Sequence, residues 1–212
     1  MLRSIFIMGL ALLLATLPMK AQVSYGVRAG AAHSSLIQKI NDKAEAESCF
    51  GFSFAGLVDI PLSHNKKWSL RPEVAFVHQG GAYYSDQDMQ GATLFNKCWY
   101  NSIEVPINVA YNFIFTDVRL LVYAGLTFDW AVFGRMESRE SDHDLNFGMT
   151  EEKDLKPCDL ALNLGVAFEL DKFFVSLNST TGMIDRRSTK RDGETSVYQN
   201  NITFSVGYYF RR

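Results

Sequence analysis

From Asn200 to Phe210 apolar and polar residues alternate. Ile202, Phe204, Val206, Tyr208 and Phe210 fall on one side of an extended chain, and Thr203, Ser205 and Gly207 on the other. The same period of two recurs upstream. Val23, Tyr25, Val27 and Ala29 oppose Ser24, Gly26, Arg28 and Gly30 in a first strand over 22–33, and Phe50, Phe52, Phe54, Val58 and Ile60 share a face in a second. A third begins at Trp68 and runs through Phe76. A fourth spans 99–115 with Ile103, Val105, Ile107 and Val109 on one face, and a fifth spans 119–133 with Leu120, Val122, Leu126 and Phe128 aligned. Leu160 to Phe168 and Phe173 to about Ile184 supply the sixth and seventh, and the closing stretch is the eighth.

The connections carry as much information as the strands. Short turns at Ser63-His64-Asn65-Lys66, Thr116-Asp117 and Asp171-Lys172 alternate with long stretches over 34–48, 79–96, 134–157 and 185–197. In an up-and-down meander that places every short turn on one rim and every long loop on the other. This is the layout of a transmembrane barrel with short periplasmic turns and long extracellular loops. The expected fold is therefore all-β, an antiparallel up-and-down transmembrane β-barrel of eight strands. The last strand should pair with the first, because an apolar strand left as an open edge would aggregate.

Aromatic residues support two interfacial girdles, with Tyr25, Trp68, Phe113, Phe115, Phe173, Tyr208 and Phe210 near the short-turn rim and Phe50, Trp99, Trp130, Phe133 and Tyr198 near the other. Pro61, Pro72 and Pro106 interrupt strands and are expected at bulges or rims.

Composition agrees once the alternation is known. Mean hydropathy is only -0.05, as expected when half of each strand is polar, and a formal charge of -2 gives no reason to expect nucleic acid. The one continuous apolar run, Ile5 to Leu17, follows Arg3 and precedes Pro18-Met19-Lys20-Ala21; it reads as a signal peptide over 1–21, leaving a mature barrel domain over 22–212. The protein is thus expected in the cell outer membrane. Cys49, Cys98 and Cys158 are odd in number and stand on alternate strands about 10 Å apart. That exceeds the Cα separation a disulfide tolerates, so buried or rim thiols are expected unless the loops bend.

The same parity sends Arg28, Asp59, Arg71, Glu73, Glu104, Asp129 and Glu169 inward, as a polar core filling the lumen. If the fourth turn centres between Thr116 and Asp117, Glu104 and Asp129 are directly opposed and call for a cation or a shared proton, with Arg28 or Arg71 the natural counter-ion. No catalytic, cofactor or metal residue is assigned. His33 and His78, with Ser34 and Ser35 adjacent, are the only histidines near a rim where lipid hydrolysis or acyl transfer would need them, but no serine motif accompanies them. Asp142-His143-Asp144 with Glu151 and Glu152 reads as a solvated acidic loop rather than a cation site. Arg186, Arg187, Lys190 and Arg191 form a basic cluster suited to lipopolysaccharide phosphates, to that acidic loop or to solvent.

Gly26-Val27-Arg28-Ala29-Gly30, Asp59-Ile60-Pro61-Leu62-Ser63 leading into Ser69-Leu70-Arg71-Pro72-Glu73, Ile103 to Tyr111 with its Glu104 and Pro106, and the ending Gly207-Tyr208-Tyr209-Phe210 together resemble the PorT-like small outer-membrane β-barrel proteins. The likeness spans essentially the whole mature chain; Arg211 and Arg212 after Phe210 depart from a terminal aromatic. The resemblance implies an exported barrel of about eight strands in a Gram-negative-type outer membrane. It implies little about activity, one branch being tied to protein secretion.

The expected function is a non-enzymatic barrel whose surface loops meet a partner, a surface glycan or lipopolysaccharide, or a secretion-system component, with outer-membrane lipid around the wall. A narrow channel, a lipid-modifying enzyme and a soluble lipocalin-like barrel are the alternatives. The last requires the apolar faces to point inward.

Overall fold

The computed structural model describes residues 23–40, 43–87, 93–138, 142–150, 153–188 and 196–211. Residues 1–21, read from the sequence as a signal peptide, lie outside them. The strands are β1 (Ser24–Ile40), β2 (Lys43–Pro61), β3 (Trp68–Gln87), β4 (Thr93–Ile114), β5 (Val118–Ser138), β6 (Asp142–Asp144), β7 (Cys158–Leu170), β8 (Phe173–Gly182) and β9 (Val197–Arg211). Eight of them form a closed antiparallel ring in the order β4-β3-β2-β1-β9-β8-β7-β5, completed by β4 on β5. The short β6 folds back onto β5. Closure runs through β1 and β9, with Ala29 opposite Val206 and Ala31 opposite Phe204. The ring has no free edge, so backbone groups at membrane depth find partners without water.

Parity along the wall is as expected. Phe204 is 56%, Val166 44% and Ile107 40% exposed, all on the outside, which excludes a lipocalin-like interior. Inside, small residues make room for large ones. A β-carbon on Gly165 would run into the Tyr123 ring, and one on Gly207 into the Phe174 ring. Such alternation lets side chains fill a lumen that an eight-stranded ring makes just wide enough for them.

Two sequence expectations are corrected. The long connections are largely strand: β1 and β2 pair without interruption from His33 opposite Phe50 up to Ile40 opposite Lys43, and β3 and β4 pair up to Gln87 opposite Thr93. At 20 and 22 residues, β3 and β4 are about twice the ~9–11 residues that a tilted strand needs to cross a bilayer. The pattern there was illegible because it inverts. Above the membrane the outside faces water, so Leu36, Cys98, Tyr100, Met136 and Val197 point inward while Lys97, Arg135 and Glu137 point outward.

Pro61 does end β2, but Pro72 and Pro106 sit inside β3 and β4 without a bulge. Pro72 pairs with Ile107 and Pro106 with Thr127, and the register on either side is unshifted. A proline removes one ladder donor, and the neighbouring pairs hold the strand in place. The bulges fall elsewhere, at Tyr25/Gly26, Glu47/Phe52, Ser85/Gln87 and Asn101/Ser102. All three cysteines are free thiols, Cys49 and Cys98 buried and Cys158 exposed.

The outward band tests the fold directly. Val166→Arg should destabilise the folded barrel by about 2–4 kcal/mol in lipid vesicles, as arginine does at the bilayer midplane. Ser176→Ala, pointing into the lumen from the facing strand, should change stability by less than about 1 kcal/mol. Urea unfolding followed by tryptophan fluorescence reads both.

Candidate functional site: a charged lumen under a folded-in cap

The lumen is built from alternate residues of all eight ring strands, and its charges stack in three levels. Nearest the short-turn rim, Arg119 on β5 reaches across to Asp59 on β2 at 2.7 Å and to Glu169 on β7 at 2.5 Å. Tyr209 on β9 donates its hydroxyl to the other oxygen of Glu169 at 2.9 Å. Arg71 lies 3.8 Å from Glu169 and is sandwiched by the Tyr123 and Phe174 rings at 5.3 and 5.9 Å. At mid-height, Arg28 donates Nε to Glu73 at 2.8 Å and Nη1 to the hydroxyls of Ser53 and Ser205. Arg119–Asp59, Tyr209–Glu169, Arg71–Glu169 and Arg28–Glu73 join strands that are not neighbours in the ring, while Arg119–Glu169 and the Arg28 bonds to Ser53 and Ser205 tie adjacent ones. The first four therefore brace the cylinder across its bore, and each buried charge meets an opposite one.

The third level carries the sharpest sequence expectation. Glu104 and Asp129 are directly opposed across β4 and β5, and Asp159 on β7 faces Asp129 on the other side, so three carboxylates form one row. Like charges in register destabilise unless a cation or proton intervenes. Arg28 acts on Glu104 as expected, but the cation in contact with Asp129 is neither Arg28 nor Arg71. It is Arg186, from the segment after β8, whose Nη1 lies 3.4 Å from Asp129 Oδ2 and whose guanidinium stacks on Tyr100 at 5.0 Å. Arg186 is 0% exposed. Gln79 donates to Ser102 at 2.8 Å and to Asp129 at 3.3 Å, and accepts from Asn201 on the opposite wall. Asp159 takes the backbone N–H of Ile184 at 3.0 Å and so holds the turn that carries Arg186 inward.

Above this level the mouth is covered. Residues 145–150, 153–157 and 183–188 fold across it: Leu145 N donates to Gly134 O, Lys156 N to Arg186 O and Arg186 N to Val197 O, and Ser188 bonds the Lys153 carbonyl. Leu155 bridges both Phe147 and Arg187. Leu145 and Leu155 pack with Leu36, Cys98, Tyr100, Met136 and Val197 into a buried apolar cluster, with Phe147 edge-on to Tyr100. The basic cluster is thereby split. Arg186 and Arg187 are buried within the cap, while Lys190 and Arg191 lie outside the described residues.

All seven residues expected in the lumen are at most 8% exposed. Arg119, Asp159 and Arg186 were missed. Arg119 and Asp159 share the inward parity of their strands and were within reach of the pattern; Arg186 sits in a connection with no period. Elsewhere, His33 stacks edge-on with Phe50, and His78 lies over Phe52 and bonds Asn101 at 3.0 Å. Ser34 turns the other way, its hydroxyl 3.2 Å from Cys49 Sγ and accepting the Gly80 N–H. Histidine and Ser34 therefore stand on opposite faces of the wall. In the acidic loop, Asp142 pairs with Arg135 at 3.5 Å and His143 with Asp154 at 3.4 Å, and Glu151 and Glu152 lie outside the described residues. Among the described residues no cluster of three or more histidine, cysteine or acidic side chains is placed to hold a metal ion.

A sequence profile for the family described as outer membrane protein beta-barrel domain matches residues 18–188. No curated protein sequence matches the chain. Among solved structures, Neisserial surface protein A (NspA) superposes with a TM-score of 0.50 at 13% identity, covering 89% of this chain and 99% of that one. Ail, the attachment invasion locus protein of Yersinia pestis, gives 0.46 at 13% identity over 89% and 99%. The N-terminal β-barrel domain of Pseudomonas aeruginosa OprF gives 0.40 at 11% over 90% and 100%.

The row of charges makes an asymmetric prediction. Asp129→Asn should destabilise the cap by about 3 kcal/mol, because Arg186 keeps its charge in a dry site; Asp159 nearby holds the loss to the low end of the range for broken buried pairs. Glu104→Gln should be neutral or stabilising, since it removes a like charge. Amide exchange in residues 183–188 reads the cap, and Asp129→Asn combined with Arg186→Met should recover much of the loss.

Proposed function

The chain belongs to the outer membrane protein beta-barrel domain family, resident in the outer membrane, and from that premise we propose that it is a non-enzymatic barrel with a closed bore. Its tall extracellular rim is the working surface, presented to a protein partner, a surface glycan or lipopolysaccharide, or a secretion-system component. The observation that supports this reading is the sealed mouth, with Arg186 locked to Asp129 and Tyr100 beneath the apolar cluster. Among the described residues, a bore braced by ion pairs and capped from outside is occupied by side chains rather than by a water-filled path. Function then falls to the parts that project, and β1 to β5 extend well past the bilayer with Lys97, Arg135 and Glu137 facing water.

The PorT-like resemblance points the same way, toward a scaffold in an export apparatus. In this reading residues 1–21 are removed on export and the mature chain starts at Gln22. A lipid-modifying role is the less favoured reading: Ser34 faces away from the rim histidines, and Ser35, which shares the outward parity of His33, stands in no serine motif.

Planar-bilayer recordings test the closed bore. The wild-type protein should stay silent, and Arg186→Ala, which frees the cap from the carboxylate row, should raise the frequency of brief openings. Steady wild-type openings would turn the reading into a channel. Lipid A mass profiles from cells carrying His33→Ala or His78→Ala should match the wild type; a changed profile would restore the enzymatic alternative.

A further inference from the structure

The outer wall is not uniformly convex. On the face made by β9, β1, β2 and β3 there is a trough of about 790 Å³, within the ~300–1,000 Å³ range typical of small-molecule sites. Its floor is Ala29 and Gly56, diagonal neighbours across β1 and β2; its sides are Phe54 and Phe76 above and Val27 and Tyr208 below. Gly56 points outward, and a β-carbon placed there would meet nothing within 4 Å. A glycine inside a strand that no neighbour crowds leaves room for something that is not part of the chain.

The occupant follows from the position. The trough lies in the band that faces hydrocarbon, and its lining is almost wholly apolar side chains. A partner strand has nothing to pair with, because every ring strand is bonded on both edges. A second copy docking about a twofold axis through the trough would set trough against trough and leave the hollow unfilled. The lower end is formed by Tyr208 and Phe173, whose rings meet at 5.1 Å in the short-turn girdle. The next residue back is the exposed Lys172. That end faces the periplasmic surface.

We propose that this trough is a binding site for a phospholipid of the periplasmic leaflet, one acyl chain lying on Ala29 and Gly56 and the phosphate near Lys172. Flexible hydrocarbon can fill an irregular groove that rigid aromatics frame, and an ammonium at the girdle suits an anionic headgroup.

Native mass spectrometry of the detergent-folded protein with added phosphatidylglycerol or uncharged diacylglycerol tests this. Wild type should retain one phosphatidylglycerol. Gly56→Phe, which projects into the trough from a site where a β-carbon meets nothing within 4 Å, should lower that retention on the order of tenfold. Leu162→Phe, outward-facing on the far wall, should leave it unchanged. Lys172→Ala should weaken phosphatidylglycerol and leave diacylglycerol as it was. The heat-induced gel shift confirms that each variant is folded, and Ala29→Leu replaces Gly56→Phe if that variant fails it.

Retention by Gly56→Phe equal to the wild type, or loss in Leu162→Phe as large as in Gly56→Phe, overturns the site. A dimer that Gly56→Phe abolishes assigns the trough to a second copy and overturns it too. Equal retention of both lipids, unaffected by Lys172→Ala, overturns the phospholipid assignment.

Discussion

In hydrocarbon an unpaired backbone amide has no water to turn to, and this one constraint organises the molecule. The chain meets it by bonding β9 to β1, its last strand to its first, so that the sheet has no edge within the membrane. Once the ring is closed, the pleat decides everything at each position. One neighbour points to lipid and the next to the bore, and a slip of one residue would exchange the two sets. Register is therefore held by both faces at once, which explains how Pro72 and Pro106 can omit a donor in the middle of strands without moving them.

Closure creates a second problem inside. Eight strands enclose a space too narrow for bulk water and, here, too charged for an ordinary apolar core. The solution is mutual compensation across the bore: Arg28 with Glu73, Arg119 with Asp59 and Glu169, and Arg186 with Asp129. Removing one member would leave its partner charged in a dry place, so these pairs are costly to break even if they add little net stability over an apolar filling. Arg28–Glu73 and Arg119–Asp59 also hold non-adjacent strands at fixed separation. A bore built this way is a strut rather than a conduit.

Where the strands leave the bilayer, the solvent on the outside changes and the rule for each face reverses. Leu36, Tyr100, Met136 and Val197 turn inward, and Leu145 and Leu155 come down from the cap to meet them. The protein is thus two bodies on one set of strands, a membrane cylinder with a polar inside and a water-facing cylinder with an apolar one. Arg186 sits at their junction, its charge engaged with the lower body and its backbone tied to Lys156 and Val197 of the upper.

The eight-strand barrel, the sides of its short turns, the facing of Glu104 and Asp129 and the inward set from Arg28 to Glu169 were all legible in the order of residues. Each follows from a strict period of two and from turn positions, which are local properties. Arg119 and Asp159 obeyed the same period and could have been added on that ground. What the order of residues did not contain was the strand extensions beyond the membrane, because their pattern changes sign where the solvent does. Nor did it contain the counter-ion of Asp129, because Arg186 arrives there by a fold of irregular chain. Only the three-dimensional arrangement decides which distant segment lies over a mouth, since that depends on apolar contacts between parts of the chain with no periodic relation to one another.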